Sequence, residues 1–256
     1  MFATATDELL IKNICTMRKD GGQNTKIVAT VGPACNSYDK LLELVQAGVD
    51  GFRLNFSHGT HADHLEVIQH IQAINAEYNT YIGILADLQG PKLRVGKIQD
   101  NALPLKAGDV ITLVNEKVIG TREKIYMSYE QFAEDCEVGE RILMDDGKLV
   151  FEVIETNKKD QVRLKCLHGG VLSSNKGVNL PDTNIKLPSL TEKDREDLDF
   201  ILTQPVNWIA LSFVRTRDDL DDLKQHIDEK GHPAKVMAKI EKPEAVRNIR
   251  KIIKSA

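Results

Sequence analysis

A short apolar run, a polar cap and an amphipathic stretch follow one another repeatedly along this chain. That order restricts it to folds built on a parallel β-sheet, because strands joined through helices run the same way. Lys26 to Val31 (KIVATV) is β-branched and uninterrupted, as a strand buried on both faces would be, and it ends at Gly32-Pro33. Asn36 and Asp39 form a variant of the capping-box signature, opening a helix whose apolar face is Leu41, Leu42, Leu44 and Val45 and which stops at Gly48. Gly51 to Phe56 reads as a second strand. Thr60 and Asp63 cap a second helix with Leu65, Ile68 and Ile71 inward, and Tyr81 to Ala86 reads as a third strand.

The rhythm resumes after a long gap. Thr191 and Asp194 open a helix, Trp208 to Phe213 is a strand, Thr216 and Asp219 open another helix, Val236 to Ile240 is a strand, and Pro243 sits at a helix's first position. The caps at Asn36 and Thr60, then at Thr191 and Thr216, are spaced by about 25 residues, one strand-plus-helix unit. Two closures suit such a repeat, an open doubly wound sheet and a (β/α)₈ barrel, with the barrel slightly favoured. Between Pro91 and Pro188 the pattern changes to short alternating runs (110–114, 141–144, 148–154 and 161–167) broken by Gly-bearing turns, with Asp146-Gly147 as a hairpin signal. The expected organisation is α/β: an N-terminal extension at 1–24, a partial TIM barrel of about five strands at 25–90 plus 188–256, and a small all-β lid domain at 91–187, inserted after the third strand.

Bulk properties narrow the function. With 41% hydrophobic and 28% charged residues the chain is of globular type, and its formal net charge of -4 argues against nucleic acid or an anionic membrane as partner. Cys15, Cys35, Cys136 and Cys166 are far apart without a C-x-x-C pair, which points to reduced thiols in the cytoplasm rather than a disulfide framework. The N-terminal segment has acidic residues before its short apolar stretch, and no run of ~18 apolar residues occurs, so neither an export signal nor a membrane span is expected.

Alternation then locates a candidate site. In the second strand Phe52, Leu54 and Phe56 share one face while Arg53, Asn55 and Ser57 share the other; in the last, Lys239 and Glu241 oppose Val236, Ala238 and Ile240; Asp87 ends the third. A packed core has no use for these charges, since unpaired buried charge costs several kcal/mol. Arg and Lys suit phosphoryl oxygens, while Glu and Asp suit a hard divalent cation. Phosphoryl transfer needs mostly such positioning and charge neutralisation. No G-x-x-x-x-G-K-[ST] loop is present, which argues against a P-loop enzyme. The structural alternative is an ion-pair network at the sheet's end. His58, His61 and His64 are read as solvent-exposed rather than as a metal cluster, and the acidic run 218–229 as a solvated helix face with Leu220, Leu223 and Ile227 inward.

The segments TKIVATVGPA (25–34), GFRLNFSHG (51–59), ADLQGPKLRVG (86–96), MDDG (144–147), KGVNLPD (176–182), LPSLTEKD (187–194), ALSFVR (210–215) and KIEKPEAVRNI (239–249) resemble pyruvate kinase motifs in order and spacing, over nearly everything after residue 24. The resemblance implies a cytoplasmic, homotetrameric glycolytic enzyme that moves the phosphoryl group of phosphoenolpyruvate to ADP, giving pyruvate and ATP. It implies that Arg53 holds the transferred phosphate and that Lys239 stabilises charge in the transition state and on the enolate. Glu241 would ligate Mg²⁺ (or Mn²⁺). His58, Arg94, Lys193 and Asn55 match nucleotide-binding positions, and Asn55, Ser57, Asp87 and the backbone carbonyl of Leu88 match the monovalent-cation site that usually holds K⁺.

Three departures qualify this. The family has Thr more often than Leu at position 88, a change that a backbone ligand tolerates. Lys92 stands where many members have Glu, and its ammonium can replace the ion's charge near Asp87, so K⁺ is expected not to be required. The family also continues past the last residue here with a second Mg²⁺ carboxylate, the remaining strands and a regulatory domain. Five strands cannot close an eight-stranded barrel, so the 256-residue chain alone is expected to be inactive. Two other readings stay open: a non-catalytic fragment that associates with a remaining half, and a different Mg²⁺-dependent barrel enzyme acting on phosphoenolpyruvate or 2-oxo acids.

Overall fold

The computed structural model of the chain describes residues 25–183 and 185–256, so the expected 1–24 extension and Cys15 lie outside the described residues. The chain divides into two compact units, one reaching Gly90 and resuming at Ser189–Ala256, the other spanning Pro91–Pro188. Pro188 thus belongs to the second unit.

In chain order the first unit opens with β1 (Val28–Thr30), α1 (Tyr38–Gln46), β2 (Gly51–Asn55), α2 (His61–Tyr78) and β3 (Gly83–Asp87). The second holds β4 (Leu103–Leu105), β5 (Val110–Val114), β6 (Ile125–Tyr126), α3 (Phe132–Asp135), β7 (Arg141–Met144), β8 (Leu149–Thr156), β9 (Gln161–His168), β10 (Gly170–Leu172) and β11 (Val178–Asn179). The first unit then resumes with α4 (Glu192–Ile201), β12 (Trp208–Leu211), α5 (Arg217–Glu229), β13 (Lys235–Ala238), α6 (Pro243–Arg247) and α7 (Ile249–Ser255).

Strand order decides between the two closures left open by the repeat. The sheet runs β1-β2-β3-β12-β13, all parallel, so neighbours in the sheet are neighbours in the unit's chain order. A doubly wound sheet reverses its order at a switch point, and none occurs among the described strands. Right-handed crossovers in one unreversed direction put every helix on one face, which is the arrangement of a barrel wall.

Local chemistry explains most element ends. The Thr60 side chain accepts from the Asp63 amide while Asp63 takes the Thr60 amide, and Thr191 with Asp194 repeats the box. The Thr216 amide donates to Asp219 at 3.1 Å. Helix α1 starts one residue later than the motif suggests, at the Ser37 cap without a side-chain bond; the Asn36 carbonyl instead accepts from His70 Nδ1. Val67, Ile68, Ile71, Ile74 and Tyr78 form the buried stripe of α2, and Leu220, Leu223 and Ile227 that of α5. They close one core with Phe52, Leu54 and Phe56 from β2.

The first strand corrects an expectation. It is not buried on both faces: it lies at a sheet edge, with Val28 57% exposed. Apolar composition was a true strand signal, but burial depends on a second neighbour, which β1 lacks among the described residues.

The second unit has its own core. Its six-stranded sheet runs β11-β7-β8-β9-β5-β6, antiparallel except for β5 with β6, and β10 pairs with β4 separately. Phe132, Phe151, Leu113 and Ile142 are fully buried within it. Between β7 and β8 the chain turns through Asp145, Asp146 and Gly147, all at positive φ, as the Asp-Gly pair predicts.

Candidate active site

Parallel pairing brings the C-terminal ends of β2, β3 and β12 side by side, with Asn55 opposite Asp87 and Asp87 opposite Ala210. The residues that end those strands therefore share one rim. Asp87, only 2% exposed, is its centre. Arg53 reaches it from β2 through Nε at 2.6 Å and Nη2 at 2.5 Å, and sends Nη1 to Thr30 Oγ1 at 3.2 Å. Lys239, just beyond β13, places its ammonium 3.3 Å from both Asp87 oxygens, 2.7 Å from Ser212 Oγ and 3.6 Å from Glu241 Oε1. Glu241 Oε2 accepts the Phe213 amide at 2.9 Å.

Four of the expected residues, Arg53, Asp87, Lys239 and Glu241, are thus one connected group. Their formal charges cancel in pairs. Arg53, Lys239 and Glu241 are each partly exposed, with side chains at 29–35% accessibility, so the rim faces outward rather than into a sealed core. A polyanion arriving there meets two cationic donors already fixed by a buried carboxylate.

Asn55 and Leu88 flank this group. Asn55 Oδ1 accepts the Ser57 amide at 3.1 Å, and the Leu88 carbonyl takes the Ser212 hydroxyl at 2.8 Å. Asn55, Ser57, Asp87 and Leu88 thus stand at or just past the ends of two adjacent strands.

A cleft of about 720 Å³ opens beside β1 and β2, lined among others by Thr30, Pro33, Asn55, His58, Asp63 and His64. That size suits a small organic ligand. His58 and His61 are exposed, as expected, while His64 is half-buried. His64 stacks on Phe56 at 4.1 Å between ring centroids and bonds the His58 carbonyl at 3.0 Å, and burial holds its pKa below the usual histidine value. His61 stacks on Phe200 and meets Asp197 at 2.8 Å. Asp197 is the residue missed in the sequence: buried, it also pairs with Lys193 at 2.5 Å, whose ammonium donates to the Phe56 carbonyl at 2.8 Å. Inside the charged run TEKDRED nothing local sets its acid apart.

Arg94 and Lys92 belong to the second unit. Arg94 Nη1 donates to the Asn175 carbonyl at 2.8 Å and its amide to Ser128 Oγ at 2.9 Å; Lys92 is partly buried. Beyond Glu241, Lys242 is also partly buried, and burial together with the Arg215 charge lowers its pKa to about 8. Arg215 itself clamps the buried Asp219.

Glu241 is the residue that fits a divalent cation, since one oxygen is fixed by an amide and the side chain is accessible. Among the described residues no group of three or more His, Cys, Asp or Glu could hold a metal, so Glu241 would be one ligand of a shell completed by other groups. No described helix is long and apolar enough to cross a membrane.

The family profile "Pyruvate kinase, barrel domain" matches residues 22–256. Pyruvate kinase 2 of Synechocystis is 47% identical over 235 residues, covering 90% of this chain and 40% of that protein. The pyruvate kinase of Corynebacterium glutamicum is 42% identical over 231 residues, covering 90% of this chain and 48% of its own. Among solved structures, a pyruvate kinase from Cryptosporidium parvum superposes with a TM-score of 0.84 at 31% identity, covering 99% of this chain and 51% of that one. The chain therefore spans about half the length of the relatives it matches.

Proposed function

Since the chain belongs to the pyruvate kinase family, we propose that its strand-end rim is part of a glycolytic phosphotransferase site that passes the phosphoryl group of phosphoenolpyruvate to ADP, giving pyruvate and ATP. The observation that carries this reading is the bridging of Arg53 and Lys239 by one buried carboxylate, Asp87, beside Glu241. Two cations fixed a few ångströms apart favour a group whose charge is spread over several oxygens.

Arg53 holds the phosphoryl oxygens with donors directed away from Asp87. Lys239 lies on the same carboxylate and stabilises the enolate oxygen as negative charge grows there. Because the four side chains sum to no net charge, neutralising the substrate calls for a further cation, and Glu241 would hold Mg²⁺ or Mn²⁺ for that purpose. The metal, when bound, draws charge from the phosphoryl oxygens as a Lewis acid. The cleft lined by Asn55 and His58 takes the nucleotide, with Lys193 and Arg94 assigned to its phosphates. Asn55, Ser57, Asp87 and the Leu88 carbonyl form the monovalent-cation position, and Lys92 makes K⁺ dispensable. The β-rich unit serves as the lid.

Calorimetric titration of the chain with phosphoenolpyruvate in Mg²⁺ tests this. Binding should be at least about tenfold weaker in Arg53→Met and in Lys239→Met, as loss of a hydrogen bond to a charged group implies. Equal affinity in wild type and both variants refutes the reading.

A further inference from the structure

Lys239 and Glu241 follow β13, which pairs only with β12 among the described residues, and nothing in the strand's own hydrogen bonding fixes side-chain direction. Asp87 holds the Lys239 ammonium from one side, and one turn on the neighbouring strand reaches both side chains. Ser212 follows the last residue of β12 and is 3% exposed. Its Oγ accepts from the Lys239 ammonium at 2.7 Å and donates its single proton to the Leu88 carbonyl at 2.8 Å; Asp87 Oδ1, at 3.5 Å, is too distant to compete. The next residue, Phe213, directs its amide at Glu241 Oε2.

To point that amide outward the chain adopts φ +56 at Phe213, a left-handed conformation that is uncommon for a bulky side chain. Gly90 packs against the same turn at φ +67, where an added Cβ would lie 3.1 Å from Phe213 Cδ2 and from Ser212 Cβ. A strained non-glycine residue, backed by a glycine that leaves room for it, is an arrangement that surrounding structure maintains rather than local preference.

We propose that the Ser212–Phe213 turn is the positioning element for both functional side chains beyond β13: the Ser212 hydroxyl fixes the Lys239 ammonium, and the Phe213 amide fixes one Glu241 oxygen. Ser212 also ties Lys239 to the Leu88 carbonyl, so the lysine and the monovalent-cation position share one hydrogen-bonded path. The inference rests on the phosphotransferase reading only for its consequence in substrate binding; the geometric part stands alone.

Nitrogen-detected NMR of lysine ammonium groups in the ¹⁵N-labelled chain tests it, with the Lys239 signal assigned by its loss in Lys239→Arg. Wild-type Lys239 should exchange slowly with water. Ser212→Ala should accelerate that exchange about tenfold, and Ser212→Thr, which keeps the hydroxyl, should restore it. Phosphoenolpyruvate affinity in Mg²⁺ should fall about tenfold in Ser212→Ala and recover in Ser212→Thr. Fast exchange in the wild type overturns the proposal without any variant, as does unchanged exchange in Ser212→Ala. A lowered Tm with unaltered affinity in a wild type that binds phosphoenolpyruvate also overturns it, because Ser212 would then serve only the fold. Absence of binding in the wild type defeats the functional reading, and the exchange rates still decide the positioning role.

Discussion

Arg53 and Asp87 meet across β2 and β3 with two guanidinium nitrogens, at 2.6 and 2.5 Å, on a single carboxylate oxygen. The Lys239 ammonium lies 3.3 Å from both oxygens of that carboxylate. Replacing a buried acid that serves two cations leaves both uncompensated, which costs about 3–5 kcal/mol in closed sites. Arg53 and Lys239 each keep some solvent access, so Asp87→Asn should lose about 3 kcal/mol, the low end of that range. Urea denaturation gives the number. A loss below about 1 kcal/mol would mean solvent already screens the pair, as at an ordinary surface ion pair.

Gly90 separates backbone strain from steric crowding. An alanine in the left-handed region costs about 1–2 kcal/mol from its own backbone. At Gly90 the new Cβ also lies 3.2 Å from the Ser212 carbonyl oxygen, a backbone atom that cannot rotate away. At Gly108, with φ +91, nothing lies within 4 Å. Gly108→Ala should therefore show the backbone cost alone, and Gly90→Ala should exceed it by about 1 kcal/mol or more, in the range of an overpacked site. Equal losses in denaturant titrations would show that the turn yields freely.

Alternation along one strand is a local property, and so the outward face of Arg53 and of Lys239 with Glu241 could be read directly from residue order. The capping boxes at Thr60 and Thr191 are equally local, and both form. What residue order does not carry is pairing at long range. Nothing local marks Ser212 in ALSFVR, because its partners Leu88 and Lys239 lie 124 and 27 residues away. Asp197 is equally unmarked, because its partner His61 lies on a different helix, 136 residues away. The exposed edge at β1 was hidden for the same reason, since apolar content reports strand propensity and not the number of neighbours.

Lys92 provides the test of ion dependence. In the reading proposed above its ammonium supplies the charge for which K⁺ would otherwise be needed, so phosphoenolpyruvate affinity measured in tetramethylammonium buffer should change less than about twofold on adding KCl. Lys92→Glu reverses the charge, and KCl should then strengthen binding by about tenfold or more, the scale of one partly screened charge interaction. A many-fold KCl response in the wild type rules out the substitution of lysine for the ion.

Lys242 gives the fold a pH dependence whose sign is fixed by the direction of its shift. Burial, with the Arg215 charge adding to it and Glu244 and Asp219 opposing, lowers the ammonium's pKa from 10.5 to about 8. Between those two values the unfolded chain binds a proton at this site that the folded chain has released, so unfolding is linked to proton uptake there. Its contribution to stability must therefore rise with pH from about 8 to 10.5 and level off outside that window. Other lysines, tyrosines and thiols titrate in the same region, and subtraction removes them: the unfolding free energy of the wild type minus that of Lys242→Met should climb across the window. A difference that is flat or falls with pH would mean that the ammonium keeps its water in the folded protein, and that Arg215 and Asp219 form their pair without excluding it.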